Sequence, residues 1–291
     1  MAKSKALTFG HNSKVSIGGV PYFVVQESLK ATTDMKEPSE EGMIGTDKPG
    51  NTGRLPHKID VRGNITVRPT VAELEVLLAL WFDQATGVTT PADSPVAKTA
   101  PVVIDRCGKV KTYAACWLNA IELSANENEP IDVLLELLGT TEAVSGTVGD
   151  VTPPDRMRFS DLAVSLAAAA YYPSGFKWRF SYEMEERFLN SLTRSVVQQK
   201  IPKAEIDLTL DRNSDTVADL FELAGTDTEL ANCNLTIADG THTLVLAHAN
   251  CCVINPSADQ DGAGVAARKD TVKLRSFLKA PATDIFTGTY T

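Results

Sequence analysis

The sequence predicts a mainly β protein with short helices, built from two tandem β-sandwich or barrel domains that span residues 1–146 and 147–291. Three observations predict this fold class. The chain has 291 residues, which is enough for two domains of ordinary size. Many segments alternate apolar and polar residues with a period of two, which is typical of half-buried strands. Segments of the first half also recur in the second half in the same order, as internal repeats do.

The repeat is clearest where a strand pattern changes into a helix pattern, at IDVRGNITVRPTVAELEVLLAL and again at AEIDLTLDRNSDTVADLFELAG. Placing Ile59 on Ile206 brings Thr70 onto Thr216 with one residue of slippage. Upstream, KVSIGGVPYFVV matches AVSLAAAAYYPSGFKW, and downstream YAACWLNA matches LAHANCCV. We therefore expect each half to contain a strand, a long excursion, a strand, a helix and closing strands.

The first helix is predicted from an amphipathic stripe, Val71, Leu74, Leu77 and Leu78. Thr70 can cap its N-terminus, with Glu73 at the capping-box position, and Gly87 is a candidate for its end after a short tail. The second helix is predicted to begin at Asp215 or Thr216 and to end at Gly225, and its stripe consists of Val217, Leu220 and Leu223.

The closing segments IDVLLELLG and DTVKLRSFL are interpreted as strands from their positions, although the periodicity of the first fits a helix equally well. Residues 139–161 are rich in Gly, Thr and Pro and are the natural boundary between the halves. CGKVKT at Cys107 is interpreted as a hairpin turn with a flanking strand.

A long excursion interrupts each half, at residues 29–56 and 185–202. Loops of this length inside compact domains are usually functional or disordered. Apolar residues stand within these otherwise polar segments, which favours a partner-binding loop. They are Met35, Met43, Ile44, Phe188 and Leu189.

Composition excludes several classes of function. The chain carries 28 Lys plus Arg against 37 Asp plus Glu, a net charge of −9 that is spread evenly over both halves. An even acidic balance argues against tight binding to a phosphate backbone, which needs clustered Lys and Arg. We expect neither a signal peptide nor a membrane span. The five cysteines lack disulfide-framework spacing and are interpreted as free thiols in a reducing cytoplasm.

The sequence contains none of the motifs GxSxG, HExxH, GxGxxG and GxxxxGK[ST], and we expect no cofactor. His242 and His248 could form a soft metal site with Cys251 or Cys252, but surface or satisfied core histidines are the simpler interpretation. A weak calcium-loop candidate has carboxylate and amide side chains at the right spacing but Thr216 where the loop needs glycine. A capped helix start explains the same residues, which are Asp211, Asn213, Asp215, Asp219 and Glu222.

The order of strand pair, long loop, strand, short amphipathic helix and closing strands resembles the tail tube proteins of long-tailed bacteriophages. The resemblance covers nearly the whole chain and depends on pattern, without an invariant motif. Its strongest support is the repeat, because a subset of these tube proteins looks like two tube domains fused in tandem. The resemblance implies a non-enzymatic virion subunit, made in the host bacterial cytoplasm, whose strands join those of its neighbours into a β-barrel around a channel.

The resemblance also implies partners. Single-domain members form hexameric rings, so three two-domain chains would form a pseudo-six-fold ring, and stacked rings would form a tube. The tube encloses a tape-measure protein, meets baseplate and tail-terminator proteins at its ends, and lets double-stranded DNA pass during ejection without binding it specifically.

Two groups of residues follow from this interpretation. The polar face of the two repeated strands would line the channel, where its carboxylates would repel DNA. Those residues are Asp60, Arg62, Asn64, Thr66, Glu205, Asp207, Thr209 and Asp211. The excursions would reach the adjacent ring as a stacking loop, through Met35, Glu40, Glu41, Met43, Ile44, Asp47, Phe188, Leu189 and Arg194.

Other interpretations stay open. A baseplate or tail-terminator protein would form one ring and no tube, and a two-domain β binding module of the virion would have a similar sequence pattern. An enzyme of another family would depend on His242, His248 and the cysteines alone.

Overall fold

The computed structural model describes residues 13–36, 55–91, 96–151, 156–188, 191–211, 220, 222–223, 226, 228–257, 269–277 and 284–291. These residues form 19 strands that are hydrogen-bonded into one sheet system, together with a single α-helix whose limits are defined. All strand pairings between these elements are antiparallel apart from one isolated bridge.

The first half contains strands β1 to β11 and helix α1. The strands are β1 Ser13–Ile17, β2 Val20–Tyr22, β3 Val24–Glu27, β4 Lys30–Lys36, β5 Leu55–Val67, β6 Asp83–Ala85, β7 Val88–Thr90, β8 Ala100–Arg106, β9 Val110–Asn126, β10 Asp132–Gly139 and β11 Glu142–Ala143. Helix α1 spans Val71–Ala79, between β5 and β6.

The second half contains strands β12 to β19. They are β12 Leu162–Leu166, β13 Ala169–Tyr171, β14 Pro173–Arg187, β15 Val196–Asp211, β16 Glu229–Ala238, β17 Thr243–Ser257, β18 Lys269–Ser276 and β19 Thr287–Tyr290. A 3₁₀ helix at Phe159–Asp161 precedes β12. The closing segments IDVLLELLG and DTVKLRSFL therefore form strands, β10 and β18, as predicted.

Helix α1 begins as the sequence predicts. The backbone N–H of Glu73 donates to Thr70 Oγ1 (3.1 Å), and the backbone N–H of Thr70 donates to Glu73 Oε2 (3.0 Å), so the capping box is formed. The predicted stripe, Val71, Leu74, Leu77 and Leu78, is buried. In the second half Leu220 and Glu222 are helical and Leu220 is buried, whereas the predicted helix start lies outside the described residues.

Gly87 does not end helix α1, contrary to expectation. The helix ends at Ala79, and Thr86 and Gly87 form the turn of the β6–β7 hairpin, both with positive φ (45° and 76°). Two successive left-handed residues match the twist of a tight hairpin, and this is why glycine is favoured there.

The strand pairings of the second half follow those of the first. In the first half β2 pairs with β1, β1 with β8, β8 with β9, β9 with β10, β10 with β5, and β5 with β3 and β4. In the second half β13 pairs with β12, β12 with β16, β16 with β17, β17 with β18, β18 with β15, and β15 with β14. Each element of the first series has its counterpart in the second.

Two irregularities of the pairing match as well. The β3–β5 register shifts between Val24 and Gln26, and the β14–β15 register shifts between Pro173 and Gly175. A second shift interrupts β9–β10 at Glu136/Leu137, and its counterpart interrupts β17–β18 at Val253/Asn255. Such β-bulges are specific features of a fold, so their recurrence allows position-by-position comparison of the halves.

This comparison corrects the alignment of the repeat. Leu135 of β10 pairs with Ile65, and its counterpart Val272 pairs with Leu208, so Ile65 corresponds to Leu208. Continuing along the strands, Gly63 takes the position of Ile206, whereas the sequence alignment placed Ile59 there. The displacement is an even number of residues, so the apolar and polar faces were still assigned correctly.

One large apolar core runs through both halves, with Trp81, Phe82, Trp178, Phe180 and Phe286 among its members. Phe82 of the first half contacts Phe180 and Phe286 of the second half at ring-centroid distances of 5.2 and 5.7 Å. The two halves therefore share packed aromatic side chains.

The excursions contain more strand than the sequence indicated. Residues Lys30–Lys36 of the first excursion form β4, which pairs with the start of β5. In the second excursion, β14 and β15 run on as a hairpin to Arg187 and from Val196. Within residues 139–161, β11 pairs with β9 and Ile131 donates to the carbonyl of Met157, so this boundary segment packs on the first half.

Candidate assembly surface

The predicted polar face is present on both repeated strands. In β5, Val61, Ile65 and Val67 are fully buried, while Arg62 and Asn64 are exposed and Asp60 and Thr66 are half-buried. In β15, Ala204, Ile206, Leu208 and Leu210 are buried, while Glu205, Asp207 and Thr209 are half-buried and Asp211 is exposed. A period of two therefore separates a dry face from a wet face in each strand.

The wet face continues across neighbouring strands as rows of directly opposed residues. One row contains Thr66, Leu134, Glu122, Arg179, Glu205 and Arg275, from β5, β10, β9, β14, β15 and β18. The adjacent row contains Asp132, Ser124, Lys177, Asp207 and Lys273. In the first row, acidic and basic side chains alternate from Glu122 to Arg275, and in the second row they alternate from Lys177 to Lys273.

These opposed charges form ion pairs. Glu122 accepts from Lys177 (2.8 Å) and Arg179 (3.1 Å), and Arg179 also reaches Glu136 (2.7 Å). Glu205 accepts from Lys273 and Arg275, both at 2.7 Å. The expectation of an acidic face that repels DNA is therefore wrong in its charge balance, because basic residues of β14 and β18 face the carboxylates of β9 and β15.

Two carboxylates of β15 differ in their electrostatic environment. Burial alone would raise the pKa of Glu205, but hydrogen bonds from Lys273 and Arg275 lower it below its ordinary value. Burial raises the pKa of Asp207, whose Oδ1 has no hydrogen-bond partner. The charges of Lys273 and Lys177 therefore offset only part of the desolvation cost of Asp207, which lies in the middle of the wet face.

A cavity of about 470 Å³ opens on this face where the two halves meet. Its lining includes Glu122, Asp132, Lys177 and Asp207, together with backbone around Gly175. Small-molecule sites are mostly lined by apolar and aromatic side chains. The polar lining fits a water-filled depression in the sheet better than a ligand pocket.

The junction between the halves is a continuous strand pairing. β9 of the first half pairs with β14 of the second from Ala120–Ser181 to Asn126–Gly175 without a register shift. A second link joins β7 to β19, at Val88–Thr289 and Thr89–Gly288. The wet face therefore passes from one half to the other without interruption.

Arg194 forms a third link between the halves. Its side chain is fully buried and donates to the carbonyls of Val61 (3.2 Å) and Gly139 in the first half. It also pairs with Asp60 (2.6 Å) and with Glu186 (2.8 Å). Hydrogen bonds from Arg62 and Arg194 lower the pKa of Asp60, although burial alone would raise it.

The structure therefore corrects the expectation for the second excursion. Arg194 was expected in a loop reaching another ring, but it is buried within its own chain. Phe188 lies beside it, with the Arg194 guanidinium 5.6 Å and Lys58 Nζ 4.4 Å from the ring centroid. Met35 is the penultimate residue of β4, and the remaining stacking-loop candidates lie outside the described residues, namely Glu40, Glu41, Met43, Ile44, Asp47 and Leu189.

The histidines do not come together. His242 is exposed in a turn, where Asp239 lies 3.8 Å from its Nδ1. His248 is buried, accepts from Trp178 Nε1 at Nε2 (3.0 Å) and faces Ser276 Oγ at Nδ1 (2.5 Å). Burial lowers the pKa of His248 to about 4. His248 is thus a satisfied core residue.

No metal-binding group of three or more His, Cys, Asp or Glu side chains occurs among the described residues. All five cysteines are free thiols, and Cys116, Cys233 and Cys251 are buried. Of the calcium-loop candidate, Asp211 is exposed at the end of β15 and Glu222 is exposed, while Asn213, Asp215 and Asp219 lie outside the described residues. In the part of the chain that the structure describes, no helix has the length and apolarity of a membrane span.

Comparison with known protein families shows what the chain is similar to. The model of a family described as "Phage tail tube protein" matches residues 13–274, which include every strand from β1 to β17 and most of β18. No curated protein matches the chain.

Proposed function

The chain belongs to the phage tail tube protein family, and we propose that it is the subunit that assembles into the tube, with three chains in each ring. The family makes it a structural component of a virion tail. We further propose that it has no enzymatic activity and that residues 1–146 and 147–291 are two tandem tube domains.

The observation that carries this proposal is the uninterrupted wet face across the β9–β14 junction. A ring needs one side of its sheet to face a water-filled channel and the other side to be packed. Here the rows of opposed charges cross from one half to the other, and the apolar core covers the opposite side. If each half is one unit, three chains supply the six units of a pseudo-six-fold ring.

The proposed inner wall includes the face of β5 and β15 that carries Asp60, Arg62, Asn64, Thr66, Glu205, Asp207, Thr209 and Asp211. Because most of its charges are paired, the wall presents little net field of either sign to a passing polyanion. Double-stranded DNA would then move through without adhering, and a tape-measure protein would occupy the channel beforehand. Stacking between rings would use the first excursion, and the tube ends would meet baseplate and terminator proteins.

Electron microscopy of the purified full-length protein tests the proposal. We expect hollow tubes with a regular axial repeat, and single rings that do not stack from a variant lacking residues 37–53. A monodisperse monomer at high concentration in light scattering would contradict the proposal. Isolated rings from the unaltered chain would instead favour a terminal ring protein.

A further inference from the structure

We propose that a second copy of this chain docks by strand pairing between the outer edge of β3–β4 and the Asn255–Ser257 edge of β17, with Lys30 opposite Ser257. The inference rests on the proposed function and specifies its subunit joint. It is derived from the junction that the chain already forms between its own halves.

The internal junction provides the template. β9 uses the edge opposite β10, and β14 uses the edge opposite β15. By the matched pairings and bulges, the counterpart of β9 is β17 and the counterpart of β14 is the β3–β4 segment. The corresponding two edges, along Asn255–Ser257 and along β3 and β4, have no strand partner among the described residues. One chain therefore offers both parts of a second junction, and a neighbouring copy can supply the missing part of each.

The register follows from counting along the matched strands. Glu122 lies opposite Arg179 in the internal junction, and Ala120 lies opposite Ser181. The counterpart of Glu122 is Ser257 and that of Arg179 is Lys30, while Ala120 and Ser181 correspond to Asn255 and Thr32. The backbone N–H of Glu127 donates to the carbonyl of Ser174, so Leu123 and Ile121 also point their N–H groups at β14. Glu122–Arg179 is therefore a non-hydrogen-bonded pair, and Lys30–Ser257 is expected to be one too.

The free edge of β4 is capped by side chains. Leu29 and Ala31 correspond to Trp178 and Phe180, whose backbone groups pair with β9. In the first half, Arg106 Nη2 (2.7 Å) and Tyr113 Oη (2.8 Å) donate to the carbonyl of Leu29. The backbone N–H of Ala31 donates to Glu142 Oε2 (3.2 Å). These contacts occupy the groups that a neighbouring strand would use, which is one way in which edge strands avoid indiscriminate pairing.

The residues around the β4 edge also differ from their counterparts at the internal junction. Charged residues surround the capped edge, and their counterparts at the internal junction are apolar. Glu27, Arg106, Lys111 and Glu142 correspond to Phe176, Ile237, Leu246 and Phe286. An edge that meets water before assembly suits charged side chains, whereas a permanent internal joint suits apolar ones.

The other free edge has a different restriction. Pro256 occupies the position of Ile121, whose N–H points into the internal junction. Proline lacks this donor, so the joint between copies has one backbone hydrogen bond fewer than the internal one. The edge is selective for a partner that tolerates this loss.

Engineered cysteines test the register in the full-length chain, in a Cys107→Ser, Cys252→Ser background. Lys30→Cys with Ser257→Cys should form disulfides between subunits on mild oxidation of assembled tubes, giving covalent oligomers on non-reducing gels. Non-hydrogen-bonded pairs have the Cβ separation that a disulfide needs. The matched control, Glu122→Cys with Arg179→Cys, should link within one chain. Thr33→Cys with Ser257→Cys places the thiols on opposite faces and should give about tenfold less product.

Tubes that form without the Lys30–Ser257 link, while the internal control links, overturn the proposed joint and leave the tube function intact. Absence of any assembly in the unaltered chain overturns the function and the joint together. If the first pair fails to fold by circular dichroism, Thr32→Cys with Asn255→Cys tests the same register at the next non-hydrogen-bonded position.

Discussion

Around Leu29 in the first half, charged side chains bind one another and the strand edge, whereas around its counterpart Trp178 in the second half, rings pack on rings. Arg106 pairs with Glu27 at 2.5 Å, and Lys111 pairs with Glu142. At the corresponding place, Trp178 and Phe180 contact Phe286 at centroid distances of 5.2 and 5.1 Å. The pairings within each half are shared, so the two places differ in their side chains and in the β9 strand that pairs with β14. The same strand order can therefore have a polar, water-facing edge where charged side chains cover it, or a packed joint where aromatic side chains cover it.

The largest effect is expected from breaking the link that Arg194 makes between the halves. Arg194→Ala should lower the free energy of unfolding by about 3–5 kcal/mol, because Asp60 and Glu186 would lose their buried partner and keep the exposed Arg62, while the carbonyls of Val61 and Gly139 would lose their donor. Thermal and urea unfolding at neutral pH measure this loss. The exposed pair Arg187–Glu185 provides the control, and Arg187→Ala should cost less than about 0.5 kcal/mol. Equal effects of the two substitutions would contradict the role given to Arg194.

A smaller effect is expected on the pH dependence of stability, and it arises in the second half alone, at His248. His248 of β17 is the counterpart of Tyr113 of β9. Cys233 pairs with His248 in the second half, just as Val102 pairs with Tyr113 in the first half. Its pKa is lowered to about 4 in the folded chain, whereas in the unfolded chain it returns to about 6.5. The unfolded state therefore binds the extra proton first as pH falls. Stability should decrease between pH 6.5 and 4 by up to about 3 kcal/mol.

Urea unfolding measured across this pH range tests the prediction. His248→Phe should be less stable at neutral pH, because Trp178 Nε1 and Ser276 lose a partner. The variant should nevertheless lack the part of the decrease in stability between pH 6.5 and 4 that protonation of His248 causes. An unchanged slope in the variant would assign the acid sensitivity to other groups.

The smallest effect concerns the first hairpin of each half. Gly18 and Gly19 turn β1 into β2 with φ of 61° and 88°, and Ala167 and Ala168 turn β12 into β13 with φ of 49° and 68°. In this left-handed backbone conformation the Cβ of alanine lies too close to the following carbonyl oxygen, whereas glycine has no Cβ. Ala168→Gly should therefore raise the free energy of unfolding by about 0.5–1 kcal/mol.

The matched change Ala170→Gly lies in the adjacent strand β13, where glycine costs entropy and releases no strain. It should destabilise by a similar amount, and differential scanning calorimetry resolves both shifts. A loss of stability in Ala168→Gly would show that the alanine turn is unstrained.

Local features were predictable from the sequence. The capping box of Thr70 and Glu73 needs residues only three apart, and the apolar stripe of α1 follows from helical spacing. The wet and dry faces of β5 and β15 follow from a period of two, which survives the misplacement of Ile59. Buried apolar strands were found for the same reason.

Features that depend on register or long-range contact were not predictable. The pairing of Glu205 with Lys273 and Arg275 requires knowing which residues of β18 lie opposite β15. The burial of Arg194 depends on carbonyls of Val61 and Gly139, which are remote in sequence. The strands within the excursions carry polar side chains on both faces over several residues, so their alternation was too weak to recognise.

The internal junction has a consequence for the speed and cost of ring closure. In a ring of three such chains, every second joint is already formed when the chain folds, because β9 and β14 are covalently connected. That joint forms without an encounter between molecules. Because the peptide chain already holds the two halves together, forming it costs no further translational entropy. Only the joints between chains then depend on protein concentration. Joining the two units in one chain thus halves the number of joints between molecules in each ring, and it leaves the capped β4 edge as the place where the proposed joint between chains has to form.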